Sequence, residues 1–292
     1  MSEIIAIANQ KGGVGKTTTA VNMSVALAAF GHRTLLVDLD PQSNSTSGLG
    51  IYGDQNLKTI YDVLCGAKSE EAVYPSYIEN LDIIPTSHNL AGAEIEMAEL
   101  PEREFMLKKA FSGLGGKYDF IIIDCPPSLG LLTVNALTAA NAVISPLQCE
   151  FYSMEGLAYL MNTVDKVRAA LNPSLKIDGG LITMFDGRTN LANQVKKELS
   201  KFYGDKLYKI FIPRNVRIAE APSFGQPIFV YASSSKGAAA YREFVMEFLN
   251  RRGFRVRKTS FKLKVNKTEE NTGAAEDNSP ADNAGNDIGE EK

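Results

Sequence analysis

The sequence predicts an α/β fold: a doubly wound, mostly parallel sheet with helices on both faces, in a single domain. Three observations carry that expectation. Short, continuous runs of apolar and β-branched residues recur through the first 250 residues. Amphipathic stretches of helical length lie between them, and a glycine-rich turn joins the first run to the first helical stretch. A strand buried on both faces reads as an unbroken apolar run, which a parallel sheet covered by helices demands.

The elements follow in chain order. Residues 4–8 form the first buried strand and residues 17–30 the first helix, which Gly31 stops. Residues 34–37 and 81–84 read as the next two strands. A helix over 102–114 leads to the strand 120–123, and a helix over 129–140 to the strand 142–145. The long helix 154–171 ends at Asn172-Pro173, since proline cannot continue a helix. A strand at 180–184, a helix at 191–202 and a last strand at 207–210 complete the alternation. Phe244, Val245, Phe248 and Leu249 share one helical face and belong to a final core helix. No internal repeat or linker interrupts residues 1–250.

Composition bounds the class. The 292 residues are 44% hydrophobic and 22% charged, the profile of a soluble globular protein. The longest apolar stretches fall far short of the ~18–20 residues that span a bilayer. Met1-Ser2-Glu3-Ile4 lacks the basic start of a secretory signal. Cys65, Cys125 and Cys149 fit no CxxC pattern or disulfide framework and read as reduced thiols. A cytoplasmic protein is expected.

The net charge of −3 conceals an uneven distribution. Residues 251–265 hold seven Lys/Arg and no acid, a basic C-terminal segment of +7. Residues 266–292 hold eight acids and two bases, an acidic tail of −6, which leaves −4 on residues 1–250. The tail has almost no large apolar residue to bury, so it is expected to be disordered. The folded body should end between Asn250 and Val265.

The sharpest chemical signal follows the first strand: Lys11-Gly12-Gly13-Val14-Gly15-Lys16-Thr17-Thr18, running straight into a helix. A bound phosphate needs backbone N–H groups aimed at it. Glycines let the chain wrap that closely, and a helix N-terminus adds favourable dipoles. Lys16 then neutralises the β- and γ-phosphates of ATP, and the Thr17 hydroxyl is a ligand for Mg²⁺. In the common form of this loop, glycine stands five residues before the Gly-Lys pair. Gln10 occupies that place here, followed by a second lysine, Lys11.

With that departure the loop resembles the deviant Walker A ATPases, P-loop NTPase-like proteins whose KGGxGKT loop carries a signature lysine. In the resemblance, Lys11 meets the phosphate held by a facing subunit. Two further segments narrow it: Leu35-Leu36-Val37-Asp38-Leu39-Asp40-Pro41-Gln42 and Phe120-Ile121-Ile122-Ile123-Asp124-Cys125-Pro126-Pro127-Ser128. Carboxylates at the C-terminal ends of neighbouring parallel strands converge on the nucleotide. Asp124 is placed to join the Mg²⁺ shell and Asp40 to orient the attacking water. With the segments 180–188 and 212–222, these motifs look like the ParA/Soj partition ATPases over about residues 1–250.

The resemblance implies a homodimer that sandwiches two ATP molecules, binds DNA without sequence preference and associates with the nucleoid. A ParB-type partner stimulates its slow hydrolysis. It also implies that Pro213 packs on the adenine and Asn215 hydrogen-bonds it. Residues 186–219 hold eight Lys/Arg and three acids, a local +5 in an otherwise acidic body. The resemblance singles out Arg188 and Arg217 there as DNA contacts, and the basic run 251–264 is a second candidate surface.

The alternative is a MinD-like division-site ATPase at the membrane. Such proteins end in an amphipathic helix, whereas this acidic tail would be repelled by anionic lipid, so no stable membrane association is expected. The isolated cysteines lack the paired spacing of a nitrogenase-type iron protein. Thr18 breaks the GxGxxG pattern of a dinucleotide oxidoreductase. A small-molecule kinase or ligase of the same superfamily stays open, as does a purely structural DNA binder, whose DNA affinity would ignore nucleotide.

Overall fold

A computed structural model describes residues 2–51, 57–151 and 153–266. Seven strands form one sheet: β1 (Glu3–Ile7), β2 (Thr34–Asp38), β3 (Tyr74–Pro75), β4 (Leu81–Ile84), β5 (Phe120–Asp124), β6 (Ala142–Gln148) and β7 (Lys176–Thr183), in the order β3-β4-β2-β5-β1-β6-β7. All pairings are parallel except β3 with β4. The helices are α1 (Lys16–Ala29), α2 (Asn44–Gly48), α3 (Ile60–Leu64), α4 (Leu90–Met97), α5 (Met106–Phe111), α6 (Leu131–Ala139), α7 (Ser153–Ala170), α8 (Asn190–Tyr203), α9 (Val216–Glu220), α10 (Ile228–Tyr231) and α11 (Lys236–Arg251).

Alternation within the apolar runs sorts the core onto two faces. Leu35, Val37, Ile121 and Ile123 pack with α3 to α7, while Ile5, Ile7, Leu36 and Ile122 pack with α1 and α11. A smaller cluster of Ile182, Val195, Leu199 and Tyr203 seats α8 on β7. Strand order reverses at β1, the central early strand, so a crevice opens beyond its C-terminal end. Gly31, at φ +90°, closes α1 by donating its N–H to Ala28.

Three expectations change. Residues 207–210 are not a strand. Leu207 makes only an isolated bridge to Gly180, because the N–H groups of Lys209 and Ile210 donate to the Glu247 carboxylate on α11 instead of to a ladder. The helix expected over 102–114 is broken into α5 flanked by 3₁₀ turns, with Glu102 in the left-handed region at φ 55°. Asn135 of α6 inserts there, donating to the Arg103 carbonyl and accepting from the Leu107 N–H. The two-residue edge strand β3 and the helix α4 have no counterpart among the expected elements.

After α11 the chain turns back along the body. Phe254 packs edge-on against His32 and Phe120, and Phe261 against Phe30. The Lys262 N–H donates to Ala29, the Glu79 N–H to Lys264 and the Asn266 N–H to Tyr77. Arg252, largely buried, pairs with Glu3 and Asp178. Of the acidic tail, residues 267–292 lie outside the described residues.

Candidate nucleotide site

The loop between β1 and α1 lines a cavity of about 520 Å³ at the reversal point of the sheet. Gly13 and Gly15 stand at φ +72° and +87°, left-handed conformations that a side chain would strain. The loop carbonyls are tied from outside: Gln148 donates its amide to Gly13 O at 2.9 Å, and Thr183 its hydroxyl to Val14 O at 2.7 Å. Lys16 is buried, its ammonium 3.1 Å from the Lys11 carbonyl. Burial lowers its pKa, while Asp124, Cys125 and Asp40 pull the other way.

The strand register explains the acidic cluster beside Lys16 and Thr17. Asp38 and Asp124 are direct partners at the ends of β2 and β5, both fully buried. Asp38 accepts from the Thr46 N–H and hydroxyl and from the Asp40 N–H. Burial pushes its carboxyl up to about 6 against those hydrogen bonds. Asp124 is pushed up to about 8 by burial and by the neighbouring Asp38; the hydroxyls of Ser45, which donates at 2.7 Å, and of Thr17 act in the opposite sense. Its other oxygen, Oδ1, is buried without a hydrogen-bond partner.

An orphaned carboxylate oxygen beside the Thr17 hydroxyl fits a hard divalent cation that takes its remaining ligands from phosphate and water, as Mg²⁺ does. Asp40 lines the same cavity, buried, and accepts the Gln42 N–H.

The cavity is also lined by Ile212, Pro213, Asn215, Pro222 and Tyr241. Asn215 caps α9 by accepting the Arg217 N–H at 2.9 Å. Lys11, like Val14 and Asp124, does not line the cavity, and its ammonium pairs with Glu150 in the turn after β6. Arg188, in the turn before α8, and Arg217, on α9, follow the two segments that the Phe185–Pro213 bridge holds together. Their side chains are 90% and 60% exposed and paired with Asp186 and Glu220.

Sequence reasoning missed Asp38, Ser45, Gln148 and Thr183 as parts of this site. Asp38 carried a usable signal, since it sits two residues before Asp40 at the end of the same apolar run.

Comparison with known proteins follows the same geometry. The AAA domain family matches residues 2–177. Over 248 residues the chain is 53% identical to the sporulation initiation inhibitor protein Soj of Bacillus subtilis, a match covering 85% of this chain and 98% of that protein. It is 49% identical over 252 residues to the chromosome partitioning protein ParA of Myxococcus xanthus, covering 86% and 89%. The chain belongs to the Soj/ParA family of partition ATPases.

Solved structures agree on the fold. Cobyrinic acid a,c-diamide synthase from Mycobacterium smegmatis, with bound ATP analogue and magnesium, superposes at a TM-score of 0.75 with 39% identity, over 87% of this chain and 96% of that one. The septum site-determining protein MinD from Pyrococcus horikoshii, complexed with Mg-ADP, superposes at 0.72 with 29% identity, over 87% and 98%. Among the described residues, no helix is long and apolar enough to cross a membrane.

Proposed function

We propose that this family member hydrolyses Mg·ATP to drive DNA partition, as a homodimer that binds DNA without sequence preference and is stimulated by a ParB-type partner, in the cytoplasm on the nucleoid. Lys11 carries the reading furthest. A lysine of the phosphate loop that stands outside the cavity its own loop lines is available to a nucleotide in a second subunit.

Within one subunit the roles divide by position. The loop N–H groups and Lys16 hold the phosphates, Pro213 and Asn215 the base. Thr17 and the free oxygen of Asp124 would hold Mg²⁺, which when bound draws charge from the phosphate oxygens. Asp40 orients the attacking water. Arg188 and Arg217 exchange their carboxylate partners for DNA phosphates, and two-fold symmetry doubles them into one positive surface.

DNA binding measured with and without ATP at two salt concentrations tests the reading. DNA binding that strengthens markedly on adding ATP and weakens steeply with salt is expected; affinity indifferent to nucleotide would reject it. The MinD structure keeps a membrane reading in view, and co-sedimentation with anionic liposomes in the presence of ATP separates the two.

A further inference from the structure

The returning segment has two unlike sides. Val256, Phe261 and Leu263 turn inward and pack on the core beneath α1 and α11. Arg255, Arg257, Lys258, Lys262 and Lys264 turn outward and are exposed. Lys258 pairs with Glu243 and Lys264 with Glu79, but Arg255, Arg257 and Lys262 make no ion pair among the described residues. Arg242 of α11 adds a further cation, its guanidinium 5.7 Å from the Phe261 ring and its Nε buried without a partner.

The position of this strip is as informative as its charge. Phe254, the residue before it, touches His32, before β2, and Phe120, at the start of β5, and its own Lys264 accepts from Glu79, before β4. All three mark the N-terminal ends of the strands, whereas the nucleotide cavity lies beyond the C-terminal ends. Arg188 and Arg217 are on the cavity side. The matched region of Soj spans 98% of that protein and 85% of this chain, so some 40 residues here, the strip's length and more, exceed what the two share.

We propose that residues 255–264 form a second phosphate-binding surface for double-stranded DNA, one that works without ATP. The proposal rests on the reading that this chain binds DNA and adds a site to it. A linear polyanion suits the strip because its free cations follow one another on either side of a single 3₁₀ turn, Lys258–Ser260, with no acidic residue between them. A lipid surface suits it less, since three of its apolar side chains are already spent on the core and are not available for insertion. The strip gives each monomer a weak hold on DNA, so that loss of the ATP dimer lowers affinity without abolishing it.

The test uses the full chain and the triple variant Arg255→Ala, Arg257→Ala, Lys262→Ala, with a short DNA duplex over a salt series, in ADP and in Mg·ATP. With ADP, the parent should bind weakly. The variant should bind at least ~10-fold more weakly, with the slope of log K against log salt reduced by about 2–3. The gain in affinity on adding ATP should survive, and the melting temperature should not move, because none of the three side chains makes an ion pair among the described residues.

Equal affinity and slope for the two chains in ADP would overturn the proposal. So would a difference that emerges only after the acids of residues 267–292 are replaced by their amides in the full chain, which would assign the strip to the chain's own tail. Preferential capture of phosphatidylserine vesicles over duplex would overturn it too. Absence of an ATP-dependent gain in both chains would instead reject the partition reading, while the ADP comparison alone decides the strip.

Discussion

Lys16 places a cation where burial already disfavours its charge, and three neighbouring acidic groups offset that cost only in part. A triphosphate would supply the remaining compensation. Lys16→Ala should therefore weaken ATP binding by about 2–5 kcal/mol, read by calorimetric titration. Asp40→Ala should behave differently, because Thr17 and Asp124, the residues proposed to hold the metal, remain. Bound ATP and the dimer should persist while turnover falls ~10²–10⁴-fold, a split that single-turnover kinetics resolves. Lys16, Thr17, Asp40 and Asp124 could be read as candidates from sequence because each stands in a local pattern. Ser45 and Gln148 were not. Ser45 reaches Asp124 across 79 residues and Gln148 reaches Gly13 across 135, contacts that only the closed sheet creates.

At the scale of elements, the central strands announced themselves through continuous apolar runs, and the errors cluster where a side chain from elsewhere captures the backbone. Residues 207–210 have the composition of a strand, yet Glu247 takes two of their N–H groups and also holds Arg251. Glu247→Ala leaves those donors and the guanidinium without their shared acceptor, so it should cost about 2–3 kcal/mol. The check is a lower denaturation midpoint at an unchanged slope. Asn135 does the same to the expected helix over 102–114. No window of sequence near residue 105 or residue 209 contains the group that decides its conformation.

At the scale of the whole molecule, the residues proposed to meet nucleotide, a second subunit and DNA lie at the cavity end of the sheet, and the proposed basic strip lies at the other end. Lys11→Ala should bind ATP yet remain monomeric, because the residue lines no part of its own cavity; sedimentation in Mg·ATP checks this. Arg188→Glu or Arg217→Glu should dimerise normally but weaken binding to every DNA sequence alike and flatten its salt dependence.

The carbonyls of Gly13 and Val14 are fastened from β6 and β7, by Gln148 and Thr183, so the loop's shape is fixed by the sheet rather than by what enters it. The chain entropy of making an anion receptor is then spent during folding, and little remains to be lost on association. Nucleotide should dock as onto a rigid template, with a small heat-capacity change rather than the large negative one of coupled folding and binding. Thr183→Val, which removes one fastening at nearly constant volume, should leave the binding enthalpy close to its original value and make the entropy less favourable. The affinity of this receptor for phosphate is thus partly stored in side chains of β6 and β7, outside the loop itself.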